Sequence, residues 1–298
     1  MSDRAGNPTI AALFALCAVV LWGSLARLAV MARPMPSFLL TGSALLIAAV
    51  LYAPVTVRSW RVSRVVLALG IYGLFGFHLF LFVALSLAPP LSANLINYLW
   101  PLLMVLLAPL ILGRGKLSPR HLVAGCIGFG GAVLAITSAA TTSADAPGGS
   151  FSLAYVGYAC ALVSAFIWAT YSLVSQRLAL TRYAFPTGAI GLFCLVSGLL
   201  ALGCHVLFEP AYEWRAHDPW ILLALGAGPM GAAFFLWDAA LKRGSAAAIG
   251  ALAYLTPLLS TGLLAIGHGP PGPRLVAAAF LIVGAALLGQ LPARQAPD

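Results

Sequence analysis

The amino-acid sequence predicts an all-α integral membrane protein with ten transmembrane helices, built as two inverted five-helix repeats around a central cavity. Three observations predict this class: an apolar composition, ten apolar runs of helical length, and a repeat that relates the two halves. Of the 298 residues, 62% are hydrophobic and 8% are charged, whereas soluble domains have about 25% charged residues. So few charges cannot cover a water-soluble surface, which excludes a soluble enzyme, a disordered chain and a nucleic-acid-binding domain.

Ten apolar runs are long enough to cross a bilayer, which takes roughly 20 apolar residues. They occupy residues 9–31, 37–57, 65–88, 91–112 and 120–139, and then 152–178, 184–208, 219–241, 245–267 and 272–291. Strands of a membrane β-barrel would be shorter and would alternate in polarity, so the runs predict helices. The first run is too long for the apolar core of a signal peptide and lacks a small-residue cleavage site, so we interpret it as helix 1.

Positive charges are distributed unequally between the two sides of the predicted bundle. With the N-terminus placed inside, twelve Lys and Arg residues lie inside and four lie outside. Because cytoplasmic loops carry the excess of basic residues, both termini are predicted to face the cytoplasm. The five cysteines are scattered through apolar runs without a CxxC pair, which predicts neither a disulfide framework nor a zinc site. No metal and no cofactor are expected.

The chain divides at a segment of small residues, TTSADAPGGS, at residues 141–150. This composition is typical of a flexible linker. We therefore predict a first repeat over 1–140, a linker over 141–151 and a second repeat over 152–298. Because each repeat has an odd number of helices, the second repeat must cross the membrane in the opposite direction to the first.

Short motifs recur in the same order in both halves. Tyr98–Leu103, with proline at its fourth position, is matched 156 positions later by Tyr254–Leu259. Trp22 and Trp168 both fall in the middle of a helix, 146 positions apart. Several matches in one order, with small changes of offset, indicate duplication. Inverted repeats are typical of secondary transporters, whose substrate binds near the membrane midplane between the repeats.

Four segments carry a resemblance to a known family: Leu21–Ser24, Ala165–Ser172, Asn97–Leu103 and Ala253–Leu259. On these segments the chain resembles the drug/metabolite transporter superfamily and, within it, the EamA-type carriers with ten helices. The segment Ser92–Leu112 is most similar to the members that export aromatic amino acids. The resemblance implies a multi-pass exporter of aromatic and other neutral amino acids in a bacterial inner membrane. Its partners would be an amino acid substrate and the lipid bilayer.

His78 lies near the middle of predicted helix 3, where an ionisable residue is costly and commonly functional. Phe82 follows it one helical turn later, on the same face. We interpret both residues as part of a substrate site, with His78 as a hydrogen-bond partner or a proton site. The alternative is an interhelical hydrogen bond that only holds the bundle together.

Predicted helix 4 carries a group of polar and aromatic side chains. Trp100 and Pro101 fall near mid-bilayer, where a proline frees a backbone carbonyl that nearby groups must satisfy. Asn94, Asn97 and this carbonyl are candidates to bind the polar groups of a substrate, and Tyr98 and Trp100 are candidates for an aromatic wall. The alternative is that the asparagines join helices, a contact typically of ~0.6 kcal/mol.

Repeat symmetry extends the candidate substrate site into the second half. Tyr254 and Pro257 occupy the repeat-related places in predicted helix 9, so we expect them to face the same cavity. Trp22 and Trp168 lie in the middle of their helices, away from the interface belts in which tryptophan gathers. A core-packing or lipid-facing role of these tryptophans is the alternative.

Asp238 is the one acidic residue inside a predicted span, and it precedes Lys242 by four residues. The plain interpretation is an i,i+4 ion pair near the cytoplasmic helix end, from which both side chains can reach the interface. The alternative is a gating or coupling site.

Other functions are less well matched by the sequence. Within the transporter class, the second candidate is export of other hydrophobic metabolites or drugs through the same cavity. An intramembrane enzyme would need a recognisable nucleophile, acidic pair or metal motif, and a channel would need a more polar lining. No nucleic-acid partner is expected, and a monomer is compatible with the predicted architecture.

Overall fold

The computed structural model describes residues 8–113, 119–142, 150–179, 181–243, 252–253, 255–265 and 272–290. All regular structure within these ranges is helical, which confirms the predicted all-α class. The α-helices are α1 (Pro8–Met31), α2 (Ser37–Thr56), α3 (Arg64–Ile71), α4 (Phe77–Leu87), α5 (Pro90–Asn97), α6 (Trp100–Leu112), α7 (Pro119–Thr142), α8 (Ser150–Leu178), α9 (Ala189–Phe208), α10 (Asp218–Ala227), α11 (Ala233–Leu241), α12 (Leu255–Ala265) and α13 (Pro273–Gln290).

Six segments within the described ranges are long and apolar enough to cross a membrane. They are Thr9–Met31, Ser37–Ser59, Arg64–Leu87, Leu153–Leu178, Ala189–Phe208 and Asp218–Leu241. A bent pair, Ser92–Met104 with Leu106–Leu112, counts as a seventh span if its two parts are taken together. The helices α7 and α13 lie where helices 5 and 10 are predicted. Predicted helix 9 lies partly outside the described residues, so the count of ten helices stays a prediction.

The prolines of predicted helix 4 interrupt what the sequence predicts as one continuous helix. A proline lacks the N–H that would bind the carbonyl four residues earlier, and its ring crowds that carbonyl. Pro101 therefore leaves the carbonyl of Asn97 without its helical partner, and α5 ends at Asn97. Pro109 likewise leaves the carbonyl of Val105 without its helical partner, and the helix axis bends by 46° at Val105. Both interruptions thus follow directly from the two prolines.

The start of predicted helix 7 is wrong by five residues, because the run begins at residue 184 and α9 begins at Ala189. Residues 184–186 have no regular structure and 187–188 form a turn, in which the N–H of Ala189 donates to the carbonyl of Pro186 at 2.9 Å. Proline disfavours the helical conformation of the residue before it, so Phe185 cannot easily extend the helix.

Two membrane segments contain a π-helical turn, at Tyr72–Gly76 and at Gly228–Ala232. The two turns begin 156 positions apart, which is the offset of the proline-centred motifs. Such turns occur mostly at functional sites. In the first turn, a Cβ atom added to Gly73 would lie 2.3 Å from Cδ2 of Tyr171. Glycine therefore allows this turn to pack directly against α8.

The most extensive helix packing joins the two halves of the chain. The helix α1 packs against α11 and α12, while α8 packs against α4 and α6. In addition, α2 packs against α9 and α7 packs against α13. The buried core lies where these helices meet. Large apolar side chains such as Val55, Val206 and Phe208 are exposed on the outside, as expected for a surface that contacts lipid.

The two ends of the bundle are named here after a residue at each end. The Arg215 end contains residues 32–36, 88–89 and 209–217, which connect the helices there. The Lys242 end contains the connection 57–63, the described residues 179 and 181–188, and residues 242–243.

Candidate functional site

Six buried aromatic rings from α1, α4, α6, α8 and α11 form a cluster at the centre of the bundle. The aromatic cluster consists of Trp22, Phe77, Trp100, Trp168, Phe234 and Trp237. The Trp22 ring centroid lies 5.1 Å from that of Trp237 and 5.4 Å from that of Trp168. Trp100 meets Trp237 edge to face at 5.9 Å. These separations and angles are those that aromatic rings prefer.

A small cavity, called here the central cavity, lies within this cluster. Its lining consists of Trp22, Leu25, Phe77, Leu81, Asn94, Asn97, Tyr98, Trp100, Trp168, Phe234 and Thr256. In this conformation the cavity has room for roughly one water molecule. A larger ligand can therefore enter only when the surrounding helices or rings move apart.

The structure brings six of the sequence-predicted candidates together at the central cavity. They are Trp22, Asn94, Asn97, Tyr98, Trp100 and Trp168. Pro101 is buried beside Trp100 at the start of α6 but does not line the cavity. Pro257 falls within α12, and Tyr254 lies outside the described residues.

His78 lies directly behind the cavity wall. Its ring packs edge to face against Phe77 at 4.9 Å and Phe234 at 5.5 Å, and it contacts Phe82 at 5.7 Å. Its Nδ1 lies 2.8 Å from the carbonyl oxygen of Leu74. Its Nε2 is buried and has no hydrogen-bond partner among the described residues. His78 therefore supports the rings that line the cavity and keeps one unused polar atom at the centre of the protein.

The two asparagines of α5 make interhelical hydrogen bonds and also line the central cavity. Nδ2 of Asn94 donates to Oγ of Ser260 in α12 at 2.8 Å. The hydroxyl of Ser164 in α8 donates to Oδ1 of Asn97 at 2.7 Å. Both interpretations of these residues, as contacts between helices and as cavity groups, thus agree with the geometry.

Sequence reasoning did not select Phe234, Trp237 and Thr256 for the site. The repeat offset could have found two of them, because Phe234 lies 156 positions after His78, and Thr256 lies 156 after Trp100. Within the part of the chain that the structure describes, Oγ1 of Thr256 is buried without a hydrogen-bond partner, like Nε2 of His78. Trp237 adjoins Asp238 in sequence, but a tryptophan near the end of an apolar run gives no signal of its own for a binding site.

A second cavity lies on the Lys242 side of the aromatic cluster and is called here the Asp238 cavity. Its lining consists of Trp168, Tyr171, Ser172, Ser175, Ile190, Phe234, Trp237, Asp238 and Leu241. Trp168 and Phe234 line both cavities, and their ring centroids are 5.4 Å apart. These two rings therefore form the wall between the Asp238 cavity and the central cavity.

Asp238 and Lys242 form the ion pair that their spacing predicts, with Nζ of Lys242 2.5 Å from Oδ2 of Asp238. The same Oδ2 accepts a short hydrogen bond from the hydroxyl of Thr187. Lys242 also donates to the carbonyl of Phe185 at 3.0 Å and lies 5.0 Å from the centre of its ring. The pair therefore joins the end of α11 to the connection that precedes α9.

At the opposite end, the connection between α9 and α10 binds backbone groups of the first half. The Glu209 carboxylate accepts from the N–H groups of Phe38 and Leu39 at 2.8 and 3.1 Å, at the start of α2. The Arg215 guanidinium donates to the carbonyls of Ala32 and Arg33 at 2.9 and 2.6 Å. We call these contacts the Arg215 clasp.

Asp218 orients the guanidinium of the Arg215 clasp. Its carboxylate is buried and accepts from Nη2 of Arg215 at 2.9 Å. It also accepts from the N–H of Arg215 at 2.8 Å and from the hydroxyl of Tyr212 at 2.9 Å. The hydrogen bond to Asp218 raises the pKa of Arg215 above its usual value, so the guanidinium stays charged.

Apolar spans that surround a buried aromatic cavity are the features of a multi-pass membrane carrier. A comparison with protein families agrees with this class. The EamA-like transporter family matches residues 9–137 and again residues 155–289. The chain therefore belongs to the EamA-like transporter family, as the sequence motifs predicted, and it is a transporter and not an enzyme.

Similar proteins support the same assignment. The chain is 40% identical to the aromatic amino acid exporter YddG of Ancylobacter novellus, over 96% of this chain and 98% of that protein. It is 26% identical to the aromatic amino acid exporter YddG of Escherichia coli, over 69% of this chain and 68% of that protein. A solved crystal structure with 35% identity matches 94% of this chain and 98% of its own, with a TM-score of 0.72. The predicted resemblance to aromatic amino acid exporters of this family is confirmed.

Proposed function

We propose that this protein is a secondary transporter that exports aromatic amino acids, and other neutral amino acids, across the bacterial inner membrane by alternating access. The observation that carries the proposal is the central cavity, whose wall combines tryptophan and phenylalanine rings with asparagine and threonine side chains. Similarity to exporters of aromatic amino acids over nearly the whole chain supports this substrate class.

The chemistry of the cavity wall fits the two ends of an aromatic amino acid. The rings of the aromatic cluster offer edge-to-face contacts to a substrate ring, each worth about 0.5–1.5 kcal/mol beyond area burial. Thr256 Oγ1 on the cavity wall and His78 Nε2 behind it are buried without a hydrogen-bond partner among the described residues, which costs about 1–3 kcal/mol per group. A polar substrate head group that reaches these atoms would remove that cost. Asn94, Asn97 and Tyr98 add further polar atoms on the same wall.

Alternating access is supported by features that recur in the two halves. The π-helical turns begin 156 positions apart, and the family profile matches the chain twice. The contacts of α1 with α11 and α12 have their counterpart in those of α8 with α4 and α6. We infer two inverted repeats, 1–140 and 152–298, joined by the linker 141–151, with ten helices and both termini in the cytoplasm. Movement of one repeat against the other would open the central cavity to each side in turn.

Uptake into liposomes tests the proposed function directly. Purified protein is reconstituted, and the uptake of labelled phenylalanine, tryptophan and threonine is compared with that of empty liposomes. Saturable uptake that unlabelled aromatic amino acids compete away is the expected result. Absence of uptake by folded, inserted protein would overturn the amino acid assignment and would favour a different hydrophobic metabolite or a drug as substrate.

Substitution of Trp100 tests whether the central cavity binds the substrate. Trp100→Ala should reduce aromatic amino acid transport at least about tenfold, because loss of the ring contacts corresponds to about 1.4 kcal/mol. Trp220→Ala is the matched control, because the Trp220 side chain is 72% exposed. Transport at the unaltered rate by a folded Trp100→Ala variant would contradict the proposed site.

A further inference from the structure

We propose that the Asp238 cavity is a second substrate subsite, which binds the primary ammonium group of an aromatic substrate before it reaches the central cavity. This inference rests on the proposed function, and it names a chemical group that an incoming substrate must carry. The ligand class is a primary ammonium attached to an aromatic group, which includes aromatic amino acids and aromatic amines.

The first observation is the position of the carboxylate. Asp238 lines the cavity, and both of its described contacts, with Thr187 and Lys242, use the oxygen Oδ2. The second oxygen, Oδ1, takes part in neither contact. A carboxylate with this arrangement can accept a charge-assisted hydrogen bond from an ammonium group, the strongest class of hydrogen bond.

The second observation is a set of three buried polar atoms on residues that line the same cavity. Among the described residues, Oγ of Ser172, Oγ of Ser175 and Nε1 of Trp237 have no hydrogen-bond partner. Ser172 and Trp237 are only 2% and 3% exposed. The indole N–H is a donor only, and the hydroxyl of Ser172 can donate or accept. These two atoms therefore suit a carboxylate group, so an amino acid would match Asp238 with its ammonium and Trp237 with its carboxylate.

The third observation is that Lys242 already presents an ammonium group to Asp238. Its Nζ binds Asp238 at 2.5 Å, together with the carbonyl of Phe185 and the hydroxyl of Thr187. A substrate ammonium is the same chemical group and competes for the same carboxylate. Displacement of Lys242 would release the end of α11 from the connection before α9, so that binding of substrate loosens the Lys242 end.

The fourth observation is the connection to the central cavity. Trp168 and Phe234 are shared by the walls of both cavities, so a substrate in the Asp238 cavity lies one layer of aromatic rings from the proposed transport site. The cavity has room for roughly one water molecule in this conformation. That space accommodates an ammonium group, and the rest of the substrate requires the Lys242 end to open.

A plain ion pair at a helix end is the competing explanation of Asp238 and Lys242. Such a pair accounts for the contact between the two side chains. It does not account for the cavity, nor for the three buried polar atoms of its lining residues that have no hydrogen-bond partner in the described part of the chain. The ammonium subsite accounts for all three features.

Calorimetric titration of the purified, lipid-reconstituted protein separates the two explanations. The probes are phenethylamine, which has an ammonium and no carboxylate, and 3-phenylpropionate, which has the reverse. Asp238→Asn should lower the affinity for phenethylamine at least about tenfold, since it removes the charge that binds the ammonium. The affinity for 3-phenylpropionate should change less than about twofold. Equal affinity for phenethylamine in both proteins, or an equal loss for both probes, would overturn the subsite.

The exchanged pair Asp238→Lys with Lys242→Asp distinguishes a binding role from a structural role. The exchange restores an ion pair but moves the carboxylate to position 242, which does not line the cavity. Phenethylamine affinity should therefore stay low in the exchanged variant. Recovery to the wild-type value would show that only the ion pair matters and would overturn the proposal.

Two further variants serve as controls for the binding test. Glu213→Gln is the matched control for loss of one charge, because Glu213 is an exposed carboxylate at the Arg215 end. Ser172→Ala should weaken binding of phenylalanine more than binding of phenethylamine, because only the amino acid has a carboxylate. Wild-type protein that binds phenethylamine through Asp238 but transports no amino acid would reject the proposed function and leave the subsite intact.

Discussion

The two ends of the bundle are closed by different kinds of contact. At the Arg215 end, Glu209 and Arg215 bind backbone groups of residues 32–39, and so they join the second half of the chain to the first. At the Lys242 end, Asp238 and Lys242 bind each other and residues 185–187, which all belong to the second half. The second set borders the Asp238 cavity, whose lining includes Trp168, Phe234 and Trp237 of the aromatic cluster.

The polar and cation–π contacts between the halves that the described residues make at the Lys242 end use exposed side chains. Arg177 donates to the carbonyl of Ile111 at 2.9 Å, and Arg243 lies 5.6 Å from the ring centre of Phe14. Both arginines are exposed, and exposed contacts of charged side chains contribute little stability. The comparison indicates that polar contacts hold the halves together more firmly at the Arg215 end in this conformation. We therefore expect opening of the Lys242 end to be easier than opening of the Arg215 end.

Substitution of Arg215 should produce the largest change at either end. Arg215→Ala removes two hydrogen bonds to the first half and leaves the buried Asp218 carboxylate without its guanidinium. An unpaired buried charge is strongly unfavourable. We expect transport into liposomes to fall at least about tenfold, together with a lower melting temperature.

Arg274→Ala is the matched control for the Arg215 substitution. Arg274 is exposed near the start of α13 at the same end of the bundle, and we expect its loss to leave transport and melting temperature nearly unchanged. Equal effects of the two substitutions would mean that loss of positive charge at this end, and not the clasp, controls the result.

The helical class and the positions of most spans were predictable because both follow from the lengths and positions of the apolar runs. The lipid environment requires such runs whatever the tertiary packing. The break of helix 4 at Asn97 was not predicted as a boundary, although Pro101 implied a freed carbonyl there. The start of α9 was missed because the apolar run begins at residue 184, while Pro186 disfavours the helical conformation of Phe185 and α9 begins only at Ala189.

The site was predictable where a residue stood out from an apolar helix. Trp22, Asn97 and Trp100 were visible as polar or bulky residues near mid-span, and all three line the central cavity. Phe234 was missed because a phenylalanine in an apolar run carries no signal of its own. The Arg215 clasp was missed because its partners are backbone carbonyls. Every residue type has such a group, so the sequence does not indicate which residues Arg215 binds.

Neutralisation of Glu209 should weaken the Arg215 end by a smaller amount. Glu209→Gln keeps the shape of the side chain but removes the negative charge from the start of α2, where it accepts two N–H groups. A charge at a helix N-terminus contributes typically about 0.3–1 kcal/mol. We expect a transport rate reduced about two- to fivefold. Glu213→Gln, which removes an exposed charge nearby, should have no effect, and an equal effect would contradict a specific role of Glu209.

The smallest change is expected at the Lys242 end, where the half-buried Asp238–Lys242 pair joins α11 to residues 185–187. Lys242→Met removes this link, and a pair that is partly exposed to solvent contributes about 0–1 kcal/mol. A cysteine placed at Ser175, which lines the Asp238 cavity, reports opening by its rate of thiol labelling in protein without the native cysteines. We expect labelling to rise about threefold with Lys242→Met and to stay unchanged with Arg61→Met, an exposed arginine at the same end. Unchanged labelling with Lys242→Met, or an equal rise with Arg61→Met, would contradict control of this opening by the Asp238–Lys242 pair.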